Sequence, residues 1–338
     1  MAGRSVWSRF LLGLLALLLL AAGAVAGGAW LWLDRPLPLA GASAELSIEA
    51  GATPRDVAQA WVDAGVKTHP RLLYEWFRWS GQARRIRAGS YEIEAGTSPR
   101  GLLAKMVQGD ETLERVRFIE GWTFRQLRAA LAKAPHLKAT TAGLSDAQLM
   151  AALGVGEWPA EGRFFPDTYV YSRGVSDLTV LRRAHKALQQ RLEEAWADKP
   201  PESPLKSPAE LLTLASIVEK ETGLAADRGL VAGVFINRLR IGMPLQTDPT
   251  VIYGLGEAFD GNLRKRDLQT DTPYNTYTRG GLPPTPIALP GMASLRAAVR
   301  PQATKALYFV ARGDGSSVFS DNLADHNRAV NKYQRGGS

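Results

Sequence analysis

The period of apolar and polar positions changes several times along this chain, and the changes divide it. Residues 10–33 are one uncharged apolar run, FLLGLLALLLLAAGAVAGGAWLWL, with no polar face at any period. As a helix this run is long enough to span a bilayer. Arg4 and Arg9 precede it, and Trp30 and Trp32 stand at its far end, where interfacial aromatics belong. Ala24-Val25-Ala26 has the pattern of a signal-peptidase site, but the apolar run continues past it, so an uncleaved anchor is expected. Basic residues before the span, with few after it, place the N-terminus in the cytoplasm and everything beyond Asp34 outside.

After a Pro-containing linker (34–43) a short pattern recurs. IEAGATPR (48–55) is echoed by IEAGTSPR (93–100) and, shortened, by IEGWTFR (119–125). Each copy reads as a strand end, a Gly turn, a Thr or Ser N-cap and a helix start, with Pro54 and Pro99 at the first helical position. Helical periods follow at 55–64 and 70–79, and a strand pattern at 85–93. Residues 44–118 therefore predict strand, helix, helix, strand, helix, strand, with Trp76, Phe77 and Trp79 expected in the core. Further helices are predicted at 124–133, 145–153, 178–197 and 225–240, the last with Val231, Val234, Phe235 and Leu239 on one face. Beyond Arg240 the chain is rich in Gly, Pro, Asn and Thr, and mostly loops and short strands are expected. A hairpin is predicted from 307–311 and 317–319 around Gly313-Asp314-Gly315. The fold class is α+β. The divisions are a tail (1–9), a transmembrane helix (10–33), the linker, a small module (44–118) and a mixed domain (119–338).

One helix carries candidate chemistry. Ser207 is placed as N-cap, Pro208 as first helical residue, and Glu210 as the completing member of a capping box. At about 100° per residue, Leu211, Leu212, Leu214, Ala215, Ile217 and Val218 share one arc, and Thr213, Ser216 and Lys220 fill the other. Glu219 falls between Ala215 and Leu212, on the apolar side. A buried carboxylate is costly unless it is neutral, paired or at the wall of a cleft. Two readings stay open: a protonated general acid, or a structural partner of Arg228, Arg238 or Arg240. Glu221 lies about 160° away around the helix, so it makes no simple pair with Glu219.

Composition narrows the chemistry. None of the 338 residues is Cys, which excludes disulfides and thiolate metal sites. The four His are far apart and lack metal-ligand spacing, so no catalytic metal and no cofactor is expected. The net charge of +8 is spread out, densest at Arg84, Arg85 and Arg87; a solvated basic face is weighed against contact with an anionic polymer or lipid head groups. No nucleic-acid motif, GxSxG, Walker motif or dinucleotide fingerprint is present, and no nucleic-acid partner is expected.

Five blocks carry a resemblance to a known family: EGRFFPDTY (161–169), LASIVEKET (214–222), VFINRLRIGMPLQTDPTVIYG (234–254), YNTYTRGGLPP (274–284) and YFVARGDGSSVFSDNLADHN (308–327). In order and spacing the chain resembles the endolytic murein transglycosylases, the MltG or YceG-like family, from the membrane anchor to the C-terminus. Two positions depart from the pattern: Thr285 stands where Gly is expected, and Ser317 where His is expected.

The resemblance implies a single-pass protein of the bacterial inner membrane, with its bulk in the periplasm. It also implies a LysM-like module at 44–118, weighed against a plain spacer. The activity implied is cleavage of the MurNAc–GlcNAc β-1,4 bond within nascent peptidoglycan strands, giving 1,6-anhydro-MurNAc ends and terminating glycan elongation. Glu219 is the implied catalytic residue. Gln246, Thr247, Asp248, Tyr253, Asn275, Tyr277 and Glu161 are the candidate substrate-binding residues, each weighed against turn formation or, for Glu161, positioning or a salt bridge. The implied partners are peptidoglycan glycan strands, the inner membrane and peptidoglycan synthases. Two alternatives remain beside it: a non-catalytic, membrane-tethered glycan-binding scaffold, and a muramidase that uses water and a second carboxylate.

Overall fold

Short polar side chains start most of the helices here by taking up backbone N–H groups that the first turn leaves free. In the three copies of the recurring pattern, Thr53 accepts from the Asp56 N–H, Ser98 from Gly101 and Thr123 from Gln126. Pro54 and Pro99 each open a helix, where a missing N–H costs nothing. The repeat is therefore three uses of one strand-turn-cap-helix device.

The computed structural model describes residues 3–156, 158–334 and 336. The first two residues of the expected tail lie outside these. The elements run α1 (Gly3–Asp34), β1 (Ser43–Ile48), α2 (Pro54–Asp63), α3 (Pro70–Trp79), β2 (Gly89–Glu94), α4 (Pro99–Gln108), β3 (Leu113–Arg117) and α5 (Phe124–Lys133). Then come α6 (Asp146–Leu153), β4 (Thr168–Ser172), α7 (Asp177–Ala197), α8 (Pro208–Glu221), α9 (Arg228–Arg240) and α10 (Asp248–Leu255). The last are α11 (Lys265–Gln269), α12 (Met292–Val299), β5 (Tyr308–Ala311), β6 (Ser317–Ser320) and α13 (Leu323–Tyr333). Among the described residues the strands form three two-stranded sheets, β1–β2, β3–β4 and β5–β6. The class is mixed α+β, as expected.

The chain divides into two compact units. One takes residues 1–114 and 171–174, the other 115–170 and 175–338. In the first, β1 and β2 pair antiparallel from Ser43↔Glu94 to Ile48↔Gly89, with α2 and α3 between them in the chain. Val57, Trp61, Leu73, Phe77, Tyr91, Ile93, Leu102 and Met106 make its core. Of the three aromatics expected there, Phe77 is buried and Trp76 packs partly, its indole N–H on the Pro99 carbonyl. Trp79 is instead 78% exposed, at the end of α3, with its indole N–H donated to Glu75 and Arg78 over its ring. Within α1, Gly13–Asp34 is long and apolar enough to cross a membrane, and none of it is buried.

The second unit is built around α8. Its six apolar residues named above are fully buried with Val231, Ala232 and Phe235 of α9 and Leu295, Ala298 and Val299 of α12. Each such large side chain contributes on the order of 2 kcal/mol by leaving water. Two residues of the supposed polar arc, Thr213 and Ser216, are buried too, while Lys220 is exposed. Ser216 is wholly covered, donating to the Thr213 carbonyl and accepting the Ile287 N–H at 3.0 Å. That hydroxyl supplies the partner which lets the segment around Ile287 close over the helix. The 225–240 prediction starts late, since Ala225–Asp227 is a 3-10 turn before α9.

The segment after Arg240 differs most from expectation, containing α10 to α13 besides the predicted hairpin. The hairpin itself is present, with Phe309 opposite Phe319. Turn-forming residues misled here because helix caps use the same chemistry. Thr247 precedes α10 with Pro249 in its first turn, Gly291 precedes α12, and Asn322 caps α13 by accepting the Asp325 N–H at 2.9 Å.

Candidate active site

The last turn of α8 sends two carboxylates in different directions. Ser207 caps its start, accepting the Glu210 N–H at 3.2 Å, while the Glu210 carboxylate takes the Lys206 N–H and not that of Ser207. The predicted capping box is thus half formed.

Glu219 lies against the segment leading into α12. Its side chain is 8% exposed. Oε2 accepts the Gly291 N–H at 2.9 Å, and Oε1 is 3.9 Å from Nη2 of Arg228, the first residue of α9. Gly291 is the N-cap of α12, so the carboxylate meets the positive end of a helix. The surround is therefore not purely apolar: a backbone donor and a loosely held guanidinium face the acid. Of the three arginines weighed as partners, only Arg228 approaches. Arg238 donates to the Leu307 and Leu245 carbonyls, and Arg240 to the Asn237 side chain.

The turn at residues 119–122 forms the other wall. Gly121 and Trp122 exchange backbone hydrogen bonds with Leu289 at 2.8 and 2.7 Å. Gly121 has φ +77°, a left-handed conformation that side chains resist, and a Cβ there would meet Lys220 and Glu219 at 3.8 and 3.9 Å. Glu120, just before it, brings a second carboxylate to the same place. Its carboxylate occupies the space where a Cβ on Gly291 would stand, so a side chain at 291 would have to displace it. Burial, and then the charge of Glu219, push the Glu120 carboxyl up, against the pull of Arg228.

A cleft of about 1160 Å³ runs beside this wall, lined by Glu161, Lys220, Tyr253, Tyr274, Thr285 and Ile287 among others. Glu161 is 9% exposed and accepts the Phe124 N–H with both oxygens, at 2.9 and 3.1 Å, at the start of α5. It also bonds the Tyr253 hydroxyl, and among the described residues no arginine pairs with it. Burial pushes its carboxyl up to about 7 despite those donors. Tyr253 and Tyr274 meet edge to face, with ring centres 4.9 Å apart. Thr285, the residue that departs from the family pattern, is hydrogen-bonded to the Tyr274 hydroxyl at 2.8 Å and donates to the Pro286 carbonyl. Ser317, the other departure, gives its N–H to Asp227 at 2.7 Å.

The raised Glu161 predicts a pH effect with a definite sign. A carboxyl that holds its proton more tightly when folded favours folding below its unfolded value near 4.5, and that contribution is lost as pH rises toward 7. The rise corresponds to about 3 kcal/mol. Glu161→Gln should therefore gain stability over the parent at about pH 8 relative to about pH 5. Thermal unfolding at both pH values checks this; an equal difference at the two would contradict it.

The remaining candidates form a second cluster, tied to Glu221. Thr247 donates its hydroxyl to Glu221, whose carboxyl burial pushes up. Gln246, in the left-handed region at φ +47°, gives its N–H to the Thr276 carbonyl at 3.0 Å. Exposed Asp248 accepts the Tyr277 hydroxyl at 2.6 Å. Asn275 is fully buried. Its amide donates to the carbonyls of Asp267, Leu268 and Thr270, and its Oδ1 accepts the Tyr277 N–H. Both ends of its amide are engaged by the loop, which it holds in place. The structure thus brings Glu161 and Tyr253 together at the cleft, and Gln246, Thr247, Asp248, Asn275 and Tyr277 around Glu221.

Comparison with known proteins now bears on this arrangement. The sequence model of the YceG-like family matches residues 46–332. The chain belongs to the YceG-like family. The endolytic murein transglycosylase of Bacillus subtilis is 32% identical, with 85% of this chain and 84% of the relative covered. That of Streptococcus pneumoniae (serotype 2, strain D39) is 28% identical, with 95% of this chain and 64% of the relative covered. A crystal structure of a putative YceG-like protein from Listeria monocytogenes superposes with a TM-score of 0.53 at 29% identity, covering 85% of this chain and 98% of that one.

Sequence reasoning did not bring Glu120, Gly291 or Lys220 to this place in the YceG-like chain, and weighed Arg228 only as a structural partner. A signal for Glu120 was available. It occupies the Glu position of the recurring pattern, beside Glu49 and Glu94, but the repeat was read as architecture alone.

Proposed function

We propose that this chain is an endolytic lytic transglycosylase that cuts the MurNAc–GlcNAc β-1,4 bond within peptidoglycan strands and leaves 1,6-anhydro-MurNAc ends. The observation that carries the reading is the nearly buried Glu219 carboxylate, poised between the Gly291 N–H and Arg228 in a chain whose relatives are named endolytic murein transglycosylases.

The chemistry needs one proton carrier. Protonated Glu219 gives its proton to the glycosidic oxygen as the C1–O bond breaks and positive charge develops at C1. The neighbouring N-acetyl carbonyl of the sugar stabilises that centre. The C6 hydroxyl then attacks C1 and returns its proton to the Glu219 carboxylate, so no water is consumed. Arg228 and the Gly291 N–H stabilise the carboxylate that exists between the two transfers. Tyr253 and Tyr274 offer ring faces and hydroxyls along the cleft, and exposed Gln246 and Asp248, with Tyr277, offer polar groups beyond it. Mass spectrometry of products from purified murein tests the reading. Anhydro ends are expected; absence of products with active controls would leave a glycan-binding scaffold.

The same proposal covers location and the first unit. α1 would anchor the chain in the inner membrane with its N-terminus cytoplasmic, so a periplasm-dependent reporter fused after Ser338 should be active. A reporter active only in the cytoplasm would reverse the orientation. The β1-α2-α3-β2 arrangement supports a LysM-like, glycan-binding role, with exposed Trp79 as a stacking surface. In a Glu219→Gln background, Trp79→Ala should then reduce pelleting with murein sacculi, and unchanged pelleting would favour a spacer.

A further inference from the structure

Two carboxylates converge on Gly291, and the mechanism above uses one. Glu219 accepts the Gly291 N–H at 2.9 Å, and Glu120 fills the space where any other residue's Cβ would be. Glu120 arrives from a turn pinned by two backbone hydrogen bonds to Leu289, so its approach is fixed by the fold and not by a free loop. The charged groups at this place are Glu120 itself, Glu219 and Lys220 from α8, and Arg228 from α9. Lys220 turns its ammonium to the Gly121 carbonyl at 3.4 Å. Arg228 is 3.9 Å from Glu219, and its buried Nε has no hydrogen-bond partner among the described residues.

Arg228 and a helix N-terminus put positive charge beside Glu219, whereas the first step of cleavage needs an acid. A second carboxylate in the same place resolves the conflict, because two close carboxylates do not both ionise cheaply. We infer that Glu120 is a proton-holding partner of Glu219, the two carboxylates together keeping the one proton that the cleavage step spends. The inference rests on the assignment of Glu219 as the acid. The balance is simple: the pair's proton goes to the glycosidic oxygen, and the C6 hydroxyl proton comes back to the pair. Glu120 is exposed and Glu219 is nearly covered, so Glu120 is also the side through which the pair equilibrates with solvent.

The test is the pH dependence of murein cleavage by the whole protein. Removing the Glu120 charge weakens the hold on the proton, and activity that needs the proton fails earlier as pH rises. Glu120→Gln should therefore move the alkaline limb of the profile to lower pH by about one unit or more, so that the deficit against the parent grows about tenfold or more across that limb. Gly291→Ala should move the limb the same way, because its methyl displaces the Glu120 carboxylate while the backbone, at φ −79°, tolerates alanine. A Glu120→Gln profile of unchanged shape, whatever its height, overturns the inference. Glu219→Gln separates the two claims. If that variant cleaves murein, the assignment of the acid has failed; if it is inactive and the Glu120→Gln limb has not moved, only the partnership has.

Discussion

Glu219→Gln should abolish murein cleavage while leaving the fold in place. The amide keeps the shape, and its oxygen can still accept the Gly291 N–H. The contact with Arg228 is loose, at 3.9 Å, so its loss should change stability little. A protein of this size absorbs that with a small change in melting temperature. The catalytic loss is far larger, since the amide can neither give nor take the proton. General acid–base help is typically about 10²–10⁴-fold, and a residue used in both transfers should cost at least that. Glu221→Gln is the control from the same helix turn. It points to Thr247, can still accept that hydroxyl, and should keep most activity. Rates from a murein-digestion assay, read beside thermal unfolding, decide the matter. Exchanged phenotypes would move the chemistry to Glu221, and a Glu219→Gln variant that lost its fold would make Glu219 structural.

Asn275→Ala should be the most destabilising change among the candidate binding residues. It strips partners from three carbonyls, at 2.7, 3.1 and 3.3 Å, and from the Tyr277 N–H, at 2.9 Å, in a place closed to water. Leaving such groups unpaired costs about 2–4 kcal/mol in total, after partial relaxation of the loop. For a unit of this size that is a fall in melting temperature of about 5–10 °C. Activity should fall with stability, because the same loop positions Tyr277 and Asp248. Lost activity at an unchanged melting temperature would instead mean that the amide faces the sugar.

Local signals in this sequence were strong, and signals that join distant segments were weak. α3 and α5 begin and end at the residues that periodicity and capping chemistry mark, and the hairpin of β5 and β6 follows its turn. Glu219 was legible because a carboxylate on an apolar arc is an anomaly within one helix. Its partners were not, since Gly291 is 72 positions away and Glu120 lies before a different helix. Nothing in the periodicity of α8 announces that Ser216, on the polar arc, will accept a hydrogen bond from Ile287, 71 positions on. Asn275 was legible as a turn residue and as a sugar ligand alike, and only its burial separates the two. The helices after Arg240 were hidden by their own caps, where Thr, Asp-Pro, Gly and Asn read equally well as loops.

The central claim is that the sugar's own C6 hydroxyl, and not water, closes the reaction on a proton carried by Glu219. Digestion of murein in heavy-oxygen water, with mass spectrometry of the new chain ends, tests it most directly. The account predicts anhydro ends that carry no heavy oxygen, and no new ends from the Glu219→Gln variant. Reducing ends with one heavy oxygen each would contradict it, and would make this chain a hydrolase.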